Sequence, residues 1–338
     1  MSLEKPYIEL TFSGKLRRLG RLAATAIHHY GLEDAEIRYH SFDTNLHYRV
    51  TTAAGERYML RLASPGWRTN TDLLSEALWL DALARDTDVP VPQVMPTRTG
   101  DFIVPMTGNG ITGIWNACLM SWVPGRRLDH YLIPGNLRKM GELFAVLHHH
   151  GATWVAPAGF TQRRFEHWLS RGEPNLIIRG KGGNLTGVLP AHSLEVLERM
   201  HQHVEAAYAQ VNRSDLRIIH CDLWHGNIKL HHGLLHPLDF EDTIWGFRAH
   251  DIAMGMLDLL EATDDERYPG LLAAFREGYE YHMPWTEDRI EPFQIGRLLW
   301  TINWVVRFDP KSLANKVERY LPVFEHYERT GRVILPAV

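Results

Sequence analysis

Cysteine is almost absent: Cys118 and Cys221 are the only two in a chain of 338 residues. Two thiols cannot build a disulfide framework or a four-cysteine zinc site, and such sparing use suits a reducing compartment. Long apolar runs are missing as well. No segment offers the roughly 18 uninterrupted apolar residues of a membrane-crossing helix, and the stretch MSLEKPYIELTFSGKLRRLG has no secretory apolar core. A soluble, cytoplasmic protein without a membrane partner is the expectation. Nor is there an excess of one charge. The 36 Lys plus Arg stand interspersed against 40 Asp plus Glu, a formal charge of -4, which argues against a broad positive field for nucleic acid but allows a local basic pocket. Neither an internal repeat nor a low-complexity linker interrupts the chain, so two closely joined lobes fit better than beads on a string.

What is present can fill a large core. The composition is 45% hydrophobic, and this length is near the size at which one core gives way to two. The first third mixes helix and strand. Apolar spacing predicts a helix over Leu16 to Tyr30, a hairpin between Leu46 and Leu62 around Ala54-Gly55, and a helix over Leu73 to Ala84 capped by Asp72. Strands follow at Phe102 to Pro105 and Ile114 to Val123. From Pro134 the pattern changes to long helices: Asn136 to His150 with Asn136 as cap, Leu194 to Val211, Ile252 to Leu260, Leu271 to His282, Ile290 to Arg307 and Lys311 to Arg329. The fold class is α+β, a small antiparallel sheet followed by a larger, mainly helical part. The Gly-rich RGKGGNLTG lacks the frame and pattern of a phosphate loop and reads as an exposed connection.

Chemistry concentrates in RIIHCDLWHGNIKLHHGLLHPLDFEDTIWG, residues 217–246. A short strand delivers Asp222 to its end, and a hairpin from Ile228 to Leu238 delivers Asp239. Asn227 lies in the loop between them. The return of the hairpin makes it feasible for all three side chains to meet. One carboxylate can orient and deprotonate a hydroxyl, while an amide oxygen and a second carboxylate hold a hard divalent ion against phosphate oxygens.

HCDLWHGN followed by LDFED resembles the catalytic and metal-binding segments of the aminoglycoside phosphotransferase and choline kinase group, which has a bilobal protein-kinase-like fold. The resemblance spans about residues 40–260. It implies transfer of the γ-phosphate of ATP to a hydroxyl group of a small molecule, with Mg2+ or alternatively Mn2+. It further implies that Asp222 is the catalytic aspartate, that Asn227 and Asp239 are metal ligands, and that His220 braces the loop. FDTNLHYRV matches the covering hairpin, with Asn45 near the nucleotide. Arg61 in YMLRL takes the basic phosphate-contacting position, and Glu76 is its acidic partner. CLMSWVPGRRL matches the hinge, where backbone groups around Met120 to Trp122 would receive adenine. Residues 1–120 are then a nucleotide-binding lobe ending at the hinge, and 121–338 a catalytic and acceptor-binding lobe. Asp251 in GFRAHDIA resembles the acid that organises the catalytic loop.

The chain departs from the pattern in three places. Arginine at 61 replaces the more common lysine, Cys221 stands where many relatives carry glycine, and Phe247-Arg248 replaces Asp-Pro. A protein Ser/Thr kinase, or a catalytically silent nucleotide-binding interaction protein, stays open. The acceptor, the choice of ATP or GTP, and the oligomeric state are not legible.

Other features have plainer readings. A surface strand charge is the ordinary alternative for Arg61, and a first-turn helix acid for Glu76. The histidines at 148–150, 201, 203, 231 and 232 lack metal-hydrolase spacing. DLLEATDDER, residues 258–267, could face a cationic acceptor or simply water, and Glu241 and Asp242 could enlarge a negative site. Trp245, Trp285, Trp300 and Trp304 suit interhelical packing.

Overall fold

The first helix begins earlier than its apolar spacing indicates. Thr11 caps it by accepting a hydrogen bond from the amide of Gly14 at 3.2 Å, so α1 covers Phe12–His28. The computed structural model describes residues 5–335 apart from 162, 181, 265, 287 and 288. The chain divides into two compact units, Met1–Pro124 with Ala156–Gln162, and Gly125–Val155 with Arg163–Val338.

In the first unit, α1 is followed by β1 (Glu36–Phe42), β2 (Leu46–Thr51), β3 (Arg57–Ala63), α2 (Asn70–Asp86), β4 (Val104–Met106) and β5 (Trp115–Ser121). The strands form one antiparallel sheet in the order β1-β2-β3-β5-β4. The expected hairpin pairs Leu46 with Leu62, and Gly55 takes the left-handed φ of 86° that its turn requires. Alternation along β2 and β3 sends Leu46, Tyr48, Val50, Leu60 and Leu62 into one core with Leu19, Leu22, Ala23 and Ile27 of α1. Arg61, between Leu60 and Leu62, belongs to the opposite face.

Asp72 does not cap α2. The cap is Thr69, whose hydroxyl accepts from the Asp72 amide at 3.1 Å while the Asp72 carboxylate accepts from the Thr69 amide at 3.0 Å. This reciprocal pair moves the helix start back, which places Glu76 in the second turn. It shares the buried stripe with Leu73, Ala77, Leu80 and Leu83.

The second unit contains β6 (Arg126–Arg127), α3 (Pro134–Thr153), α4 (Ala191–Gln210), β7 (Arg217–Ile219), β8 (Ile228–His231), β9 (Leu234–Pro237), β10 (Ile244–Gly246), α5 (Arg248–Glu261), α6 (Tyr268–His282), α7 (Glu291–Phe308) and α8 (Leu313–Thr330). Its strands form a β6-β8-β9 sheet and a β7-β10 pair. Asn136 is not a cap: α3 starts at Pro134, where a missing N–H costs no helical bond, and the Asn136 amide donates to the carbonyl of Tyr131 at 2.8 Å. Two glycines bring helices close to the motif segment. A Cβ at Gly151 of α3 would lie 2.1 Å from the carbonyl oxygen of Ile218, and one at Gly255 of α5 would lie 2.8 Å from that of Leu223. Only glycine permits either approach, so α3 and α5 both bear on residues 218–223. In RGKGGNLTG, Lys181 lies outside the described residues. No helix among the described residues is long and apolar enough to cross a membrane.

Candidate functional site

β7 ends at Ile219 and hands over to a loop held by side chains. His220 is buried; its Nε2 donates to the carbonyl of Leu238 at 2.9 Å while its Nδ1 accepts from the amide of Asp222 at 3.3 Å. One neutral tautomer satisfies both bonds and ties the loop to the exit of β9. Cys221 has a left-handed φ of 66°, and its amide donates to Asp251 Oδ1 at 2.7 Å. The other oxygen of Asp251 accepts from His148 Nε2 at 3.0 Å, and His148 Nδ1 accepts from the Tyr279 hydroxyl at 2.9 Å. A non-glycine residue in this conformation costs about 1 kcal/mol, and a charge-assisted bond from the buried carboxylate offsets it. Burial pushes the Cys221 thiol up to about 12, which disfavours the thiolate and fits a small packing group.

Asp222 is presented from this fixed loop. Its Oδ2 accepts from Asn227 Nδ2 at 3.1 Å, and the same nitrogen donates to the Asp222 carbonyl at 2.9 Å. With Nδ2 engaged, Oδ1 of Asn227 is the oxygen turned to other use. Asn227 closes a 3-10 turn that runs into β8, and across the hairpin its carbonyl accepts from the amide of Leu238 at 2.8 Å. Asp239 comes next, with a left-handed φ of 62°. Asp222 and Asn227 are therefore in direct contact, and Asp239 directly follows Leu238, whose amide bonds to Asn227 and whose carbonyl accepts from His220. Arg248, at the first departure after the motif, donates to Asp215 through its backbone amide at 3.1 Å and its Nε at 2.5 Å.

Two arginines that the motif does not contain flank Asp222. Arg171 Nη2 donates to Oδ1 at 3.2 Å and also pairs with Asp242, while Arg297 of α7 lies 3.5 Å from the same oxygen. Both guanidinium groups lie over the Trp300 ring, at 4.5 and 4.2 Å. The Trp300 indole N–H donates to Glu173. Asp242, expected to enlarge a negative site, is instead neutralised by Arg171. Burial pushes the Asp222 carboxyl above its ordinary range, with Arg171 and Arg297 pulling it back. Asp258 of α5 is raised to about 7 by burial, Arg297 opposing and Asp222 adding. Arg171 and Arg297 stand 51 and 75 positions from Asp222, in no motif, and no sequence signal marks either.

In the first unit, Arg61 and Glu76 form a bidentate pair, Nη1 to Oε1 at 3.0 Å and Nη2 to Oε2 at 2.5 Å. They are 5% and 2% exposed, which excludes a surface strand charge and, with Glu76 in the second turn, a mere first-turn acid. Asn45 is buried, and its Oδ1 accepts from the amide of Ser64 at 3.4 Å, bracing the β1–β2 turn. At the expected hinge two amides are already engaged. The amides of Ser121 and Trp122 already donate to the carbonyls of Gln93 at 2.8 Å and Arg57 at 3.1 Å, so neither is an open donor beside Met120.

The histidine runs separate as expected of adjacent side chains. His148 is buried against Asp251, His149 is exposed, and His150 stacks on Trp154 at 5.9 Å. No group of three or more His, Cys, Asp or Glu side chains among the described residues is placed to hold a metal ion. In the acidic stretch, Glu261 pairs with Arg319 and Asp264 accepts from the Arg267 amide at 2.8 Å, whereas Asp265 lies outside the described residues.

The phosphotransferase enzyme family (APH) has a model that matches residues 42–293. No curated protein matches the chain in sequence. Several solved structures share its fold. An amicoumacin kinase in complex with AMP-PNP, Ca2+ and Ami is 17% identical over 97% of this chain and 98% of that chain, with a TM-score of 0.75. A microcompartment-associated aminopropanol kinase is 20% identical over 94% and 100%, with a TM-score of 0.74. An ethanolamine kinase of Plasmodium vivax is 17% identical over 90% and 88%, with a TM-score of 0.59.

Proposed function

The chain belongs to the phosphotransferase enzyme family, and from that premise we propose that it moves the γ-phosphate of ATP to a hydroxyl group of a small molecule. The observation that carries this reading is the Asp222–Asn227 contact, in which one amide nitrogen fixes both the backbone and the carboxylate of the catalytic aspartate. Asp222 Oδ2 would take the proton of the attacking hydroxyl. Holding that oxygen in place supplies orientation before the reaction begins. The names of the three kinases with this fold include a nucleotide analogue and amino alcohols, which supports the choice of chemistry without identifying the acceptor.

Residues 1–120 would supply the nucleotide contacts and residues 121–338 the catalytic and acceptor contacts. Arg61 keeps its acidic partner through two N–H groups, and as a permanent cation it would orient the phosphate tail of the nucleotide. The donors suit a hard divalent ion: the Asn227 side-chain oxygen, with its amide nitrogen engaged elsewhere, and the Asp239 carboxylate. Magnesium or manganese held there would offset charge on the transferring phosphate. Two protein ligands are enough for an ion that takes the remainder from phosphate oxygens and water.

The test is calorimetric titration with ATP and Mg2+, followed by ADP formation across a panel of hydroxyl compounds. Substituting Asp222→Asn should lower kcat by about 100- to 10,000-fold. Absence of nucleotide binding, or undiminished transfer by this variant, rejects the reading.

A further inference from the structure

The two arginines beside Asp222 differ in what they do. Arg171 is engaged on two sides, by Asp222 at 3.2 Å and by Asp242, and its backbone amide donates to Glu173 at 3.0 Å. Its side chain is 11% exposed. Arg297 is held more loosely. Its closest carboxylate oxygen is 3.5 Å away, its side chain is 18% exposed, and its main support is the Trp300 face at 4.2 Å. Stacking fixes the plane of a guanidinium but uses none of its N–H groups, which point outward along the edge. Such a fork is shaped for two oxygens of one anion.

The nearby acids do not take this charge. Glu173 accepts from the Trp300 indole and the Arg171 amide, and Asp242 pairs with Arg171. Asp258, with a carboxyl raised to about 7, carries only part of a charge near neutrality. An ammonium group brought to Asp222 would therefore meet two guanidinium groups, whereas an anion would meet a preorganised receptor.

Resting on the phosphotransfer reading, we infer that the acceptor hydroxyl belongs to a molecule carrying an acidic group, a carboxylate or a phosphate ester, that Arg297 binds edge-on from its seat on Trp300. Arg297 selects the acceptor and Arg171 positions Asp222. This separates the chain from its amino-alcohol-named structural relatives, the aminopropanol and ethanolamine kinases. Trp300 acts as a platform for a cation of the protein and not as a cage for a cation of the ligand.

The experiment compares glycerate, its methyl ester, glycerol 3-phosphate and ethanolamine as acceptors with ATP and Mg2+, and measures the thermal shift each produces without ATP. Wild type should prefer an acid over the ester by about 10- to 100-fold in kcat/KM, as expected for a charge-assisted contact. Glycerate against glycerol 3-phosphate distinguishes carboxylate from phosphate. Arg297→Gln keeps a planar group on Trp300 and should remove the preference through KM, while Arg297→Lys should restore part of it. A circular-dichroism melt identifies any variant that fails to fold. Turnover of ethanolamine with no binding of either acid overturns this inference and leaves the transferase reading standing. Conversely, an acid-dependent thermal shift that Arg297→Gln abolishes, with no transfer to any acceptor, rejects the transferase reading and retains the anion site.

Discussion

The two buried arginine–carboxylate arrangements of this protein are built on opposite plans. Arg61 and Glu76 are one cation and one anion, joined by two parallel bonds and almost sealed from water. Around Asp222 there are two cations and several acids, joined by single contacts of unequal length and open at Arg297. A matched pair fixes one geometry and resists change. An unmatched network holds a carboxylate in place while leaving one cation able to accept a new partner. The first plan suits a contact that must be the same in every turnover, and the second suits a place where the ligand changes charge balance on arrival.

Breaking the matched pair should have the largest effect on stability. Glu76→Gln leaves a buried guanidinium without its counter-charge and should cost about 3–5 kcal/mol, measured by urea unfolding. The double substitution Arg61→Met with Glu76→Leu should recover most of that loss, because the desolvation of both charges disappears with the pair. It should also abolish nucleotide binding. A loss under about 1 kcal/mol for Glu76→Gln would place the pair with ordinary surface ion pairs and end the contrast.

The network should respond in its titration more than in its stability. Arg171 holds the Asp222 carboxyl down against the upward push of burial. In Arg171→Gln the carboxyl therefore rises further, and the ionised form that accepts a proton is lost at a higher pH as the solution is acidified. The acid limb of kcat/KM should move upward. A limb that does not move would show that Arg171 serves Asp242 alone.

The contrast also explains what the sequence could reveal. The β2–β3 hairpin, the long helices and the Asp222–Asn227–Asp239 loop follow from short-range pattern: alternation, helical spacing and a hairpin that returns to its start. Arg61 and Glu76 were legible only through resemblance, as the basic residue of YMLRL and the helix acid that matches its partner. Helix starts were misjudged where side chains reach back three residues, as Thr69 does to Asp72, or where proline opens the helix, as Pro134 does ahead of Asn136. Arg171 and Arg297 were invisible for a different reason. They reach Asp222 from a loop and from α7 through tertiary packing, and a lone arginine in either place has no local signature. The availability of amides at Ser121 and Trp122 was equally hidden, since their partners Gln93 and Arg57 are fixed only by the sheet and its flanking loop.

Asp258 gives the smallest effect and the finest test of the unmatched plan. Its carboxyl is raised from an ordinary 3.8 to about 7 by burial, so between those values the folded protein keeps a proton that the unfolded chain releases. Stability from this group is complete below about pH 4, declines as pH rises, and is gone above about pH 7. Arg297 is too loosely held to cancel that penalty, which is the sense in which the network is unmatched. Asp258→Asn removes the titration, so its thermal midpoint should exceed that of wild type at pH 8 by an amount worth on the order of 1 kcal/mol, reduced for the part of the side chain in water. At pH 5 the two midpoints should draw together. An equal difference at both pH values would mean that Arg297 already neutralises Asp258, leaving no uncommitted cation beside Asp222 and making the two arrangements alike.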